Sequence, residues 1–269
     1  LFHGIIGPWS MQGTPSMPSK FLTAKWHHLI MANYQVEPKM LLDLVPPGTE
    51  LDSWNGKHFV SVVGFHFLNT RVLGIPIPWH RNFEEVNLRF YVRRHVGNEI
   101  RRGVVFVREI VPKWAIAWVA NTIYNERYSS MPMASSDRVT HGSSLSDCSD
   151  EVTREISYRW RTRLASTKTF RWNGITATTR GRPTVPAPDS EANFITEHYY
   201  GYVTQQDGST MEYRVEHPSW KVWDVSSCRL DCDIETVYGQ EWVEPLSTVP
   251  HSAFVAVGSD IVVRRGLRC

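Results

Sequence analysis

Residues 84–111 read EEVNLRFYVRRHVGNEIRRGVVFVREIV. From Glu84 to Arg94 apolar and polar side chains alternate, with Val86, Leu88, Phe90 and Val92 on one side and Asn87, Arg89, Tyr91 and Arg93 on the other. A period of two marks a β-strand, because successive side chains leave a strand on opposite faces. Gly97-Asn98 follows as a hairpin signal, and Arg102 to Val111 then supplies the antiparallel partner. That partner ends on Arg108-Glu109. A strand of Val and Phe does not carry two charges inward without a partner for each. Beyond it, Pro112 suits the first turn of a helix, in which Trp114, Ala117, Trp118, Ala120, Ile123 and Tyr124 recur at helix-compatible spacing.

Outward from this hairpin the chain keeps a β-rich rhythm. Lys25 to Tyr34 and His58 to Leu68 are large and apolar and read as strands. Between them, Pro38 opens a short helix carrying Met40, Leu41, Leu44 and Val45, which Pro46-Pro47-Gly48 stops. Thr70 to Asn82 reads as a rigid loop and the Ser-rich stretch Ser129 to Asp150 as another. Strands resume at Thr153 to Leu164 and near Thr169 to Ala177, with a proline-bearing linker over Arg180 to Ser190. Ala192 to Thr204 and Thr210 to Glu216 form a second hairpin about Asp207-Gly208. Ser219 to Leu230 is a further strand, Ile234–Tyr238 and Gln240–Leu246 are short helical pieces, and Ser252 to Arg265 is a last hairpin about Gly258-Ser259. Tight turns between neighbouring strands imply antiparallel pairing. The expected class is α+β, mainly antiparallel β, as a barrel or curved sheet with a few packed helices. No glycine-rich phosphate loop and no βαβ rhythm points to a dinucleotide fold.

Composition narrows the function. The 269 residues are 42% hydrophobic with eleven Trp, enough for a large core or an aromatic-walled cavity. The net charge of +2 gives no global field for nucleic acid or an anionic membrane, and no run approaches the ~20 apolar residues of a membrane span. Neither partner is expected. Four Cys (Cys148, Cys228, Cys232, Cys269) are too sparse for a disulfide framework, and reduced thiols in a cytoplasmic protein are the expectation. Cys228 and Cys232 lack a second ligand pair, and no spacing unites His66, His198 and His217, so neither a metal nor another cofactor is expected. Residues 1–20 are rich in Gly, Pro and Ser and read as a flexible extension, with Met11 or Met17 as the natural start.

Four groups of residues are candidates for chemistry, each with a plainer reading. Lys113, at a helix start near Arg108, becomes a nucleophile if desolvation or a nearby cation depresses its pKa; otherwise it is a surface lysine. The Asn87, Arg89, Tyr91 face either lines a cavity, with Arg89 clamping a carboxylate and Tyr91 orienting it, or is a solvated face. Glu109 with Tyr124 and Glu126 either serves acid–base chemistry or pairs with Arg108 or Arg89. Glu197, His198, Tyr200, Tyr213 and His217 are what a polar-tipped aromatic pocket needs, with Thr196, His198, Tyr200 and Tyr202 on one strand face; single histidines also serve structure. Arg159, Arg161 and Arg163 alternate with Tyr158, Trp160 and Thr162, which a strand with one solvated face explains.

Four long motifs carry a family resemblance. LVPPGTELD (44–52), GIPIPWHRNFEEVNLRFYVRR (74–94), VVFVREIVPKWAIAWVANTIYNERY (104–128) and FITEHYYGYVTQQDGSTMEYRVEHPSWKVW (194–223) resemble the YqjF-like family of uncharacterised conserved bacterial proteins, over about Phe21 to Arg268. The resemblance implies a single domain over 21–269. It also implies similarity to acetoacetate decarboxylase, a cone-shaped antiparallel β-barrel with helices outside and a cavity within. Arg108-Glu109 followed by Pro112-Lys113 resembles that enzyme's Arg-Glu and then Pro-Lys-Lys, whose first Lys forms a Schiff base and whose second lowers its pKa. Here the spacing is two residues shorter and Trp114 replaces the second Lys. The expectation is a small-molecule-binding protein for an organic acid, with Lys113, Glu109 and Arg108 as the catalytic candidates for decarboxylase-like lyase chemistry on a keto acid. A non-catalytic ligand-binding or oligomeric module is the alternative, with an edge strand as a route to homo-oligomers.

Overall fold

The strand marked by the alternation at 84–94 is present, and both of its faces are buried up to Val92. The computed structural model describes residues 18–76, 80–112, 128–141, 152–164 and 169–269. Its strands are β1 Lys20–Val36, β2 Glu50–Leu51, β3 His58–Val72, β4 Ile75–Pro76, β5 Phe83–Val96, β6 Glu99–Val111, β7 Tyr128–Ser130, β8 Met133–His141, β9 Val152–Arg163, β10 Phe170–Thr184, β11 Tyr200–Thr204, β12 Thr210–Glu216, β13 Val222–Asp231, β14 Ser252–Ala256, β15 Asp260–Arg264 and β16 Leu267–Arg268. Three short α-helices accompany them: α1 Glu191–Thr196, α2 Ile234–Tyr238 and α3 Val243–Leu246. Ser190 caps α1 by accepting the Asn193 N–H at 3.2 Å, and Asp233 caps α2 by accepting the Thr236 N–H at 3.3 Å.

The strands form one mainly antiparallel sheet that branches at β1. From β3 the hydrogen-bonded path runs through β5, β6, β11, β12 and β15 to β1, and β1 pairs back with β3, so the pairings form a closed circuit. The second branch continues from β1 through β14, β13, β10 and β9 to β8. One apolar core joins the outward face of the circuit (Val86, Leu88, Phe90) to the second branch (Ile156, Tyr158, Trp160, Ile175). The other core takes the opposite face of the same strands, with Met31, Val63, Phe65, Phe83, Tyr91 and Val104. This double burial explains why the polar side of β5 is not solvated. One short seam is parallel: β6 meets β11 at Gly103↔Tyr200 and Val104↔Gly201.

Several expectations change. Pro38 to Val45 forms two 3-10 turns, Pro38–Met40 and Leu42–Leu44, rather than one helix. Part of the Ser-rich stretch is strand, because Met133 to His141 pair along β9, and β10 runs on to Thr184 into the expected linker. Ala192 to Thr204 is not one strand: α1 occupies its first half, so Thr196 and His198 precede β11, and Tyr202 belongs to the outer core. Ser252 to Arg265 is not a hairpin. Both β14 and β15 pair antiparallel to β1, Leu29↔Ala256 and Lys25↔Asp260. The link between them stays bonded to β1 through Trp26 N–H to Ser259 O (2.9 Å) and His28 N–H to Val257 O (3.2 Å). Gly258, at φ +82°, bends the chain without reversing it; a Cβ there would lie 2.2 Å from the Trp26 carbonyl oxygen. The expected helix over Trp114 to Tyr124 lies outside the described residues. Arg159 and Arg161 stand on the outer face of β9, stacked on Trp172 at 5.3 Å and Phe170 at 4.6 Å.

Candidate functional site

The inner face of the circuit encloses a cavity of about 190 Å³. Register sets its polarity. Trp26, Phe67 and Phe83 lie side by side on β1, β3 and β5 at one end, and Met31, Val63 and Asn87 lie further along the same strands. The inward period of β5 presents Phe83, Glu85, Asn87 and Arg89 in succession, all buried. On β6 a bulge shifts the register so that Leu88 faces Arg108 and Arg89 faces Phe106. Phe106 and Glu109 consequently both line the cavity, while Val107 belongs to the outer core.

Arg108 is accordingly on the other side of the sheet from Glu109, and the two do not pair side by side as read from the sequence. The Arg108 guanidinium donates to the Val237 carbonyl of α2 and to Ser129 Oγ at 3.0 Å. It ties a helix to the sheet and does not reach the cavity. Lys113, Tyr124 and Glu126 lie outside the described residues.

Arg89 is the cavity's buried cation. It forms no ion pair with any described carboxylate; its Nη2 reaches Met31 Sδ at 4.0 Å, and its Nε has no hydrogen-bond partner. Its Cζ stands 5.7 Å from the Tyr91 ring centroid. Tyr91 is buried beside the cavity, with its hydroxyl 2.7 Å from Ser61 Oγ. Ser61 Oγ donates to Asn33 Oδ1 at 2.6 Å, so the phenol is the donor to Ser61 and its proton is committed there. Glu85 accepts from Asn87 Nδ2 at 3.0 Å and from the Tyr128 hydroxyl at 3.4 Å. Burial pushes its carboxyl up to about 7, against those two hydrogen bonds and the Arg89 charge.

At the other wall, Asp52 Oδ2 lies 3.2 Å from His198 Nε2 and accepts from Arg102 Nε at 2.7 Å. Although burial opposes it, hydrogen bonds from His198 and Arg102 hold the Asp52 carboxyl well below its usual range. Burial pushes His198 down to about 4, outweighing the hydrogen bond to Asp52, so its imidazole is neutral at pH 7. His217 also lines the cavity, stacked on Trp220 at 4.0 Å, with its pKa lowered by burial.

Of the residues expected to bind a ligand, Asn87, Arg89, His198, Tyr200, Tyr213 and His217 line the cavity together with Glu109. Glu197 does not: it accepts from the Tyr199 hydroxyl and from Ser219 Oγ at 3.1 Å. Sequence reasoning missed Glu85, which continues the β5 alternation one step upstream, and Asp52 with Arg102, which nothing local in the sequence marks. Among the described residues no cluster of three or more His, Cys, Asp or Glu is arranged to hold a metal ion.

This sheet has the fold of the acetoacetate-decarboxylase-like proteins. The structure of acetoacetate decarboxylase from Legionella pneumophila matches with a TM-score of 0.56 at 11% identity, covering 98% of each chain. That of the enduracididine biosynthesis enzyme MppR complexed with pyruvate matches at 0.61 and 13% identity, covering 99% of this chain and 98% of that one. By sequence, the chain belongs to the DUF2071 family of uncharacterized conserved proteins, whose model matches residues 23–260. Among curated proteins it is similar to the uncharacterized protein YqjF of Bacillus subtilis, 40% identical over 68 residues. That stretch spans 25% of this chain and 28% of YqjF. No helix among the described residues is long and apolar enough to cross a membrane.

Proposed function

We propose that the chain binds a small organic acid inside a cone-shaped barrel whose wall is the closed circuit of strands, within one domain running from residue 21 onward. The observation that carries this reading is Arg89. A guanidinium taken out of water costs several kcal/mol in effective terms unless an anion meets it, and no described carboxylate pairs with this one. A ligand carboxylate supplies the missing anion in bidentate geometry. The aromatic end at Trp26, Phe67 and Phe83 takes the apolar part of the acid.

Lyase-like turnover of a keto acid is the extension of this reading. The pyruvate in the MppR complex supports the ligand class, and Glu85 and Glu109 supply buried carboxyls of the kind acid–base chemistry uses. Lys113 is the proposed Schiff-base amine. A binding or oligomeric module without turnover is the second reading, favoured by the position of Arg108, which serves packing and not the cavity. Three free cysteines among the described residues suit a cytoplasmic location.

Calorimetric titration of acetoacetate and pyruvate into wild type and Arg89→Gln tests the binding reading. Binding that weakens by about tenfold or more in the variant is expected; no binding to wild type, or equal binding to both, overturns it. Borohydride reduction with the same keto acids tests turnover chemistry, with a mass gain at Lys113 expected and an unmodified Lys113 favouring the module without turnover.

A further inference from the structure

His198 is clamped on three sides. The Tyr91 ring lies 4.7 Å away and the Phe194 ring 5.0 Å away, centroid to centroid, and Asp52 Oδ2 stands 3.2 Å from Nε2. Asp52 is itself fixed by Arg102 Nε at 2.7 Å and by the Ser53 N–H at 2.9 Å. An ionised carboxylate can only accept, so the hydrogen of the Asp52–His198 contact resides on Nε2. A neutral imidazole carries one N–H, and Nδ1 therefore holds a lone pair. Nδ1 is buried and has no hydrogen-bond partner among the described residues, and the His198 side chain borders the cavity. Asn87 repeats the pattern: its Nδ2 donates to Glu85, and its Oδ1 is a buried acceptor with no donor among the described residues. Among the described residues the unmet polar groups of the cavity wall thus include one cation and two acceptors, beside the Trp26 indole N–H and the Thr70 hydroxyl. A keto acid, which offers only acceptors, answers the cation and leaves both lone pairs unmet.

We propose that His198 is a specificity-determining acceptor, its Nδ1 receiving a hydrogen bond from a hydroxyl of the bound acid, so that the cavity selects hydroxy acids over the corresponding keto acids. This rests on the reading of Arg89 as the carboxylate site, and it goes with the binding module without turnover rather than with lyase chemistry on a keto acid. Both recognition points flank one side chain: Arg89 Cζ is 5.7 Å and the His198 ring 4.7 Å from the Tyr91 ring centroid. A buried acceptor left without a donor is penalised more than a made hydrogen bond is rewarded, so discrimination falls mainly on the ligand that lacks the hydroxyl.

Two matched pairs test this by calorimetry on the full chain: 3-hydroxybutyrate against acetoacetate, and phenyllactate against phenylpyruvate. In the better-bound pair the hydroxy acid is expected to bind about tenfold or more tightly than its keto partner. His198→Phe keeps a ring between Tyr91 and Phe194 while removing the Nδ1 acceptor, and should erase that difference. Nitrogen-15 NMR of the His198 ring reads the tautomer in wild type without any ligand, and the Nε2–H form is expected. Equal affinities, a preference for the keto acid, or an Nδ1–H tautomer each overturn the inference. If Arg89→Gln weakens both acids while His198→Phe leaves their ratio unchanged, the carboxylate site stands and this inference falls. If neither acid of either pair binds wild type, the carboxylate site falls and this inference with it.

Discussion

Gly103 lies directly against the Tyr200 carbonyl, where an added Cβ would come within 2.6 Å of the oxygen and 2.6 Å of Tyr202 Cε2. The parallel seam between β6 and β11 has only two ladder pairs, with the Tyr199 N–H donating to the Arg102 carbonyl at 3.1 Å beside them. Gly103→Ala is therefore expected to force these strands apart and to destabilise the fold by about 1–3 kcal/mol. A lowered urea midpoint would register this, and an unchanged midpoint would show that the seam has slack.

Glu85 gives stability a pH dependence of definite sign. Its folded pKa is raised from 4.5 to about 7, chiefly by burial. Between those values the folded state keeps a proton that the unfolded chain has released. This carboxyl's contribution therefore weakens as pH rises through that window and is flat above it. Glu85→Gln should be the more stable protein at pH 8, by roughly 1–3 kcal/mol, with the gap closing towards pH 4. Urea unfolding of both proteins across this range checks it; parallel curves would count against a protonated Glu85.

Asp52 works in the opposite sense. Its folded pKa is depressed below the ordinary 3.8 by its hydrogen bonds to His198 and Arg102. Its contribution is fully present above that value and is lost as pH falls through the folded pKa. Asp52→Asn should cost roughly 2–4 kcal/mol at pH 7 and clearly less at pH 2, because the difference shrinks progressively as pH falls below the ordinary 3.8 towards the depressed folded value. Thermal unfolding at the two pH values separates this from a plain packing defect, which would cost the same at both.

Arg108 is a test of structure against chemistry. Arg108→Met removes the donors to Val237 O and Ser129 Oγ and should lower stability by about 1–3 kcal/mol. Titration with the acids used for Arg89 should give unchanged affinity. A loss of affinity at full stability would bring Arg108 back to the cavity.

The hairpin at 84–111 was legible because strand geometry forces its period of two, and the cavity-facing Asn87 and Arg89 came with it. Glu85 obeys the same alternation and was there to be read. Arg108 lies away from Glu109 because neighbours in sequence are not neighbours in space: a strand sends adjacent side chains to opposite faces, and the bulge beside Leu88 fixes which. The Asp52–His198 contact spans 146 residues; no local pattern encodes it, since Asp52 sits in an ordinary turn-to-strand motif. Gly258-Ser259 reads as a reversal in the sequence because a glycine at positive φ serves a tight turn and a kink equally well. Only the pairing of both flanking strands to β1 tells them apart.

That pairing also imposes an order on biosynthesis. β1 leaves the ribosome well before β14 and β15, and it gains its neighbours on one side only when residues 252–264 emerge. Until then the wall has an unpaired edge, and its apolar lining is open to water. The nascent chain thus carries this edge exposed to other chains while all the residues between β1 and β14 are made.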